Sequence, residues 1–78
     1  MILDRVKEII AEHLNCSKDK LSARTSFTNN LNADSLDVFQ IMMAVEAEFN
    51  IEVSNKDVEK IKTIEDIVTL VKQAKGLN

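Results

Sequence analysis

The sequence predicts an all-α domain, a four-helix bundle of three longer helices and one short one, with a long loop between the first two. Three observations carry that prediction. Apolar residues recur at helical spacing in three separate windows. Asp, Ser or Thr stands at the head of each later helix with an acid three residues on, the signature of a capped helix start. No segment alternates with the period of a strand. Seventy-eight residues without proline, internal repeats or low-complexity tracts make a single domain over residues 1–78, near the lower size at which a core holds without staples.

In residues 3–14 the apolar positions Leu3, Val6, Ile10 and Leu14, flanked by Ile2 and Ile9, form one stripe, with Lys7, Glu8, Ala11 and Glu12 opposite. Asn15 follows, a residue that tolerates the left-handed backbone on which helices end. Residues 15–33 form a long polar connection; nineteen structureless residues are unusual in a compact domain unless the loop packs down or serves a function, and Leu21, Phe27 and Leu31 are read as the pins that pack it. The second helix is predicted from Ser35 to Phe49. Asp34 is its N-cap and Asp37 completes a capping-box pair. Val38, Phe39, Ile41, Met42, Val45 and Phe49 form its core stripe. Leu36 and Met43, seven residues apart, project on the other side beside Gln40, Ala44 and Ala47. Two large apolar residues aligned on an outward face mark a protein contact patch; the alternative is that the long loop folds over them. Asn50 ends this helix as Asn15 ends the first, and Ile51 and Val53 lie in a short extended link. Ser54 to Asp57 opens a short helix over residues 55–60, with Val58 and Ile61 inward. Thr63 to Asp66 opens the last helix, which runs to about Lys75 with Ile64, Ile67, Val68, Val71 and Ala74 on one stripe. Gly76, the only glycine, stands where a C-terminal cap belongs.

Composition narrows the function. With three Phe, no Trp and no Tyr, the core must be built from Ile, Val, Leu and Met, and a core in a chain this short supplies about 3–5 kcal/mol. The single cysteine, Cys16, cannot form an intramolecular disulfide. It reads as a small buried hydrophobe in a reducing compartment, although the only histidine, His13, stands three residues before it. One His and one Cys cannot make a structural zinc site, the acids do not follow a calcium-loop pattern, and one glycine cannot build a phosphate-binding loop. No catalytic residues and no metal are therefore expected. No apolar run approaches a membrane span and no secretory signal is visible, so a cytoplasmic protein is expected.

Charge is unevenly placed. The net charge is −3, yet residues 34–54 hold Asp34, Asp37, Glu46, Glu48 and Glu52 with no Lys or Arg, while residues 1–33 and 55–78 each hold five basic and four acidic side chains. A negative field concentrated on the second helix argues against nucleic acid and for partners with basic docking surfaces.

Ser35 sits at the head of that helix. Serine is favoured at helix starts for structural reasons alone. Here Asp34 already supplies the cap, which leaves the Ser35 hydroxyl free, and an anion joined to it would meet the positive end of the helix dipole.

The run Leu-Asn-Ala-Asp-Ser-Leu-Asp-Val-Phe-Gln-Ile-Met-Met-Ala-Val-Glu-Ala-Glu-Phe over residues 31–49 resembles the signature of acyl carrier proteins. The likeness extends over nearly the whole chain, through the first helix, the anchored loop and the later Ile-Lys-Thr-Ile-Glu-Asp-Ile stretch. It implies a four-helix carrier domain, a monomer, in which a phosphopantetheinyl transferase moves 4'-phosphopantetheine from coenzyme A onto Ser35. Acyl groups would ride on the arm as thioesters during fatty acid or polyketide-type synthesis, presented to acyl-transferring, condensing and reducing enzymes, so that the chain is a substrate of enzymes rather than one itself. Family-like partner recognition maps onto Asp34, Leu36, Asp37, Met43, Glu46 and Glu48. Phe39, Met42 and Ile61 are candidates for sheltering an acyl chain, with ordinary core packing as the alternative. Two positions depart from the family pattern: Asn32 stands where a glycine is usual, and Gln40 where an acid is common. Rival readings are an aminoacyl or D-alanyl carrier, and a small helical adaptor that uses the acidic helix unmodified.

Overall fold

The helices begin and end where their capping residues stand. In the computed structural model, which describes residues 1–76, α1 (Ile2–Leu14), α2 (Ser35–Phe49), α3 (Asn55–Glu59) and α4 (Ile64–Ala74) follow one another along the chain. Asn15 and Asn50 both take the left-handed conformation, at φ 55° each, and their backbone N–H groups close the last turns of α1 and α2 onto Ala11 and Glu46. Without a residue that tolerates this geometry, each helix would lose its stop signal. Reciprocal capping boxes open α2 (Asp34 with Asp37) and α4 (Thr63 with Asp66). Ser54 makes half of one, accepting from the Asp57 N–H. Gly76 lies just past α4 at φ 74°.

α1 packs against both α2 and α4, and α3 lies against α2. Val6, Ile10, Ile41, Met42, Val45, Ile64, Ile67 and Val71 are fully buried between them, as an aromatic-poor composition requires. Each such side chain contributes about 1.5–3 kcal/mol relative to an exposed one. The outward faces of α1 and α4 carry charge. Ala74, expected on the buried stripe of α4, is the helix's last residue and is exposed.

The loop at residues 15–33 is packed down, as its length requires. Lys18–Lys20 forms a 3-10 turn capped by the Ser17 hydroxyl. Further on, the loop is stitched to the segment between α3 and α4. The Phe27 N–H donates to the Lys62 carbonyl at 3.0 Å, while the Ile64 and Glu65 N–H groups donate to Thr25 and Ala23 at 3.1 and 2.9 Å. Ser26 and Thr63 form an isolated antiparallel bridge. Leu21 and Phe27 are buried as the pins of this loop, whereas Leu31 is only partly buried. The loop thus docks on the α3–α4 link and the start of α4 and leaves Leu36 and Met43 of α2 exposed.

Candidate functional site at the start of α2

Asn32 holds a left-handed backbone at φ 52° and turns the chain so that the Ala33 N–H donates to the Phe27 carbonyl at 2.8 Å. This sets the approach to α2. Asp34 then takes the cap: its Oδ1 accepts the Asp37 N–H at 2.9 Å, and Asp37 Oδ2 accepts the Asp34 N–H at 3.2 Å. Ser35 is the first residue of the helix and is exposed. No other described residue hydrogen-bonds its hydroxyl, as expected if Asp34 meets the capping need. The first-turn N–H groups of Ser35 and Leu36 have no acceptor within the helix, so the site has spare donors and the positive end of a dipole beside an unengaged hydroxyl.

An apolar cleft of about 230 Å³ opens beside Ser35, between α2 and α3. Phe27, Ala33, Val38, Phe39, Val58 and Ile61 line it, with Glu59 and Lys62 among its polar residues. Two of the three shelter candidates, Phe39 and Ile61, are there. Met42 is not: at 1% exposure it belongs to the packed core. Phe27, Ala33 and Val58 were missed because the loop and the short helix that bring them together are distant in sequence. The inward spacing of Val58 and Ile61 was the one available signal.

Leu36 and Met43 are each 62% exposed, the two large apolar side chains beyond Met1 that the fold leaves in solvent among the described residues. The acids around them are placed differently. Glu48 Oε1 accepts from Arg5 Nη2 of α1 at 2.9 Å, and Arg5 Nη1 reaches Glu8 Oε1 at 3.0 Å. Hydrogen bonds to Arg5 hold both carboxyls below the usual carboxylate range and push the guanidinium up; Lys18, 3.5 Å from Glu8, adds to the effect on Glu8. Glu46 Oε2 accepts the Val53 N–H at 2.9 Å, and His13 Nε2 lies 3.4 Å from Asp37 Oδ1. The contacts of Arg5 with Glu48 and of His13 with Asp37 are not legible in the sequence, since nothing local ties residues 43 and 24 positions away to α2. Among the described residues, no cluster of His, Cys, Asp or Glu could hold a metal ion, and no helix is long and apolar enough to cross a membrane.

Residues 4–71 match the family described as "Phosphopantetheine attachment site". A four-helix bundle with an unengaged serine at a helix start beside an apolar cleft fits that match, and together they define a phosphopantetheine-bearing carrier domain. The chain is 42% identical over 69 residues to an acyl carrier protein of Bdellovibrio bacteriovorus, covering 88% of both sequences. It is 42% identical over 73 residues to one of Zymomonas mobilis, covering 94% of both. A solved structure described as an acyl carrier protein from Mycobacterium tuberculosis superposes with a TM-score of 0.86 at 29% identity, over 94% of this chain and 97% of that one. The chain belongs to the acyl carrier protein family, whose prosthetic group is covalently attached phosphopantetheine.

Proposed function

We propose that the protein is a discrete acyl carrier of fatty acid or polyketide-type synthesis, with Ser35 as the attachment point of its arm. The observation that carries this is the division of labour at the start of α2: Asp34 and Asp37 cap the helix between themselves, and Ser35 is exposed beside them. In the transfer reaction, Ser35 Oγ would attack the phosphorus of coenzyme A that bears the pantetheine. The hydroxyl proton passes to a base of the transferase, and the nucleotide leaves with the bridging oxygen. The first-turn N–H groups and the α2 dipole favour the anion that results. Once attached, the arm supplies a thiol whose thioesters activate the acyl carbonyl and acidify the neighbouring carbon for chemistry that partner enzymes perform.

The cleft lined by Phe39, Val58 and Ile61 is the proposed shelter for the acyl chain. At about 230 Å³ it is smaller than the roughly 300 Å³ at which ordinary ligand pockets begin, so it suits a short chain unless α3 moves outward. Leu36 and Met43 form the proposed docking patch. Asp34, Asp37, Glu46 and Glu48 form its acidic margin, which favours partners with basic docking surfaces: the phosphopantetheinyl transferase and the acyl-transferring, condensing and reducing enzymes. A cytoplasmic location belongs to the same proposal and is supported by Cys16, a single free thiol.

The test is to incubate the apo-protein with coenzyme A, magnesium and a promiscuous phosphopantetheinyl transferase and to measure its intact mass. A phosphopantetheine-sized gain that disappears in Ser35→Ala is expected. No gain in a folded wild-type sample would favour an unmodified adaptor. Loading the holo-protein with acyl rather than aminoacyl ligases then separates the two kinds of carrier.

A further inference from the structure

Between the end of α1 and the loop that follows it lies a second groove, of about 640 Å³. It shares no lining residue with the cleft beside Ser35, and its volume falls within the roughly 300–1,000 Å³ of ordinary ligand sites. Leu14, Cys16, Leu21 and Leu31 give it an apolar wall, and all but Leu21 are only partly buried. The rest of the lining supplies hydrogen-bond donors. Lys20 and Arg24 are exposed there, neither is in an ion pair among the described residues, and no acid lines the groove. Asn30 Oδ1 accepts the Ser26 N–H at 2.7 Å, which leaves the amide nitrogen to donate. Thr25, at 8% exposure, is the one buried polar side chain among the described residues. Its Oγ1 accepts the Ser22 N–H at 2.9 Å and lies 3.3 Å from Ser22 Oγ. The two hydroxyls thus share one hydrogen bond, and one of their two protons is left to donate.

An apolar wall beside unpaired cations and spare donors is complementary to an alkyl chain that ends in an oxyanion. We propose that this groove binds a free acyl carboxylate, its chain against the leucines and its head on Arg24 and Lys20. The guanidinium fork meets both carboxylate oxygens at once, and the ammonium adds a second charge at the same end. The choice of a carboxylate rests on the acyl carrier reading. Water that breaks the C–S bond of an acyl thioester leaves the thiol and the acyl carboxylate and releases a proton. The groove therefore holds, without a covalent bond and without Ser35, the hydrolysed form of what the arm carries.

The experiment titrates the isotope-labelled protein with decanoate, below its micelle concentration, and follows the backbone amide signals by NMR. Saturable shifts within residues 14–31 are expected, with a Kd on the order of 1 mM for a ligand of about a dozen heavy atoms. The double variant Lys20→Gln with Arg24→Gln changes two exposed side chains and is expected to bind about tenfold more weakly with an otherwise unchanged spectrum. Decanol, which has the chain without the charge, and acetate, which has the charge without the chain, are each expected to bind weaker than decanoate by about tenfold or more. The absence of saturable shifts, shifts centred on Phe39, Val58 and Ile61 instead, equal binding by the double variant, or equal binding of decanol or acetate overturns the proposal. Each of these outcomes leaves the transfer of phosphopantetheine to Ser35 untouched. The carrier reading fails separately, by the absence of a mass gain with coenzyme A and the transferase.

Discussion

Asn32 is the residue on which the geometry of the site turns most sharply. It holds φ 52° two positions before the α2 cap and is exposed, so its backbone conformation explains its place. Left-handed backbone costs an ordinary L-residue about 1–2 kcal/mol, while Asn and Gly tolerate it. Asn32→Ala is therefore expected to lower the thermal midpoint by about 4–8 °C, the shift that ~1 kcal/mol produces in a domain of this size, and Asn32→Gly to leave it nearly unchanged. Equal losses in the two variants would show that an Asn32 side-chain interaction, not φ, is being measured. Residue-scale features of this kind were legible in the sequence because they are local. Asn15, Asn32 and Asn50 stand where left-handed turns occur, and Asp34 with Asp37 reads as a capping box. The Arg5 bridge to Glu48 was not legible, since it exists only once α1 lies against α2.

At the scale of elements, the four helices follow from periodicity and caps, and the predicted span of α2 coincides with the one observed. The loop between α1 and α2 does not follow from either. Its hydrogen bonds run to residues 62–65, and backbone pairing between distant segments leaves no mark on side-chain pattern. Phe27 was legible as an anchor, and the structure adds what it anchors: at 1% exposure it joins the core, supports the cleft beside Ser35 and fixes the loop to the α3–α4 link. Phe27→Ala is expected to remove about 3–5 kcal/mol, comparable to everything a core in so short a chain supplies. Far-UV circular dichroism should show a largely unfolded protein at room temperature. A folded variant with intact helices would mean that the loop is docked by its backbone alone. Met43, 62% exposed, makes the contrast: Met43→Ala is expected to leave the helix content by circular dichroism unchanged.

The whole molecule separates two tasks that the sequence presents together on one helix. The inner side of α2 joins the core and, with α3, walls the cleft; its outer side carries the exposed Leu36 and Met43, bordered by acids that the rest of the fold holds in place. A tally of charges along residues 34–54 therefore describes the field at a distance but not the surface at contact, because Arg5 approaches from α1. What unites the two sides is Ser35 at their shared end, and this hydroxyl, among the five serines of the chain, is the one proposed to bear the arm. Ser17 caps the 3-10 turn, the Ser26 hydroxyl accepts the Asn29 N–H, the Ser54 hydroxyl accepts the Asp57 N–H, and Ser22 Oγ lies 3.3 Å from Thr25 Oγ1. The most direct measurement is fragmentation mass spectrometry of the protein after reaction with coenzyme A and the transferase. The phosphopantetheine mass is expected on Ser35 alone; its appearance on any of the other four serines would overturn the assignment of the arm to Ser35.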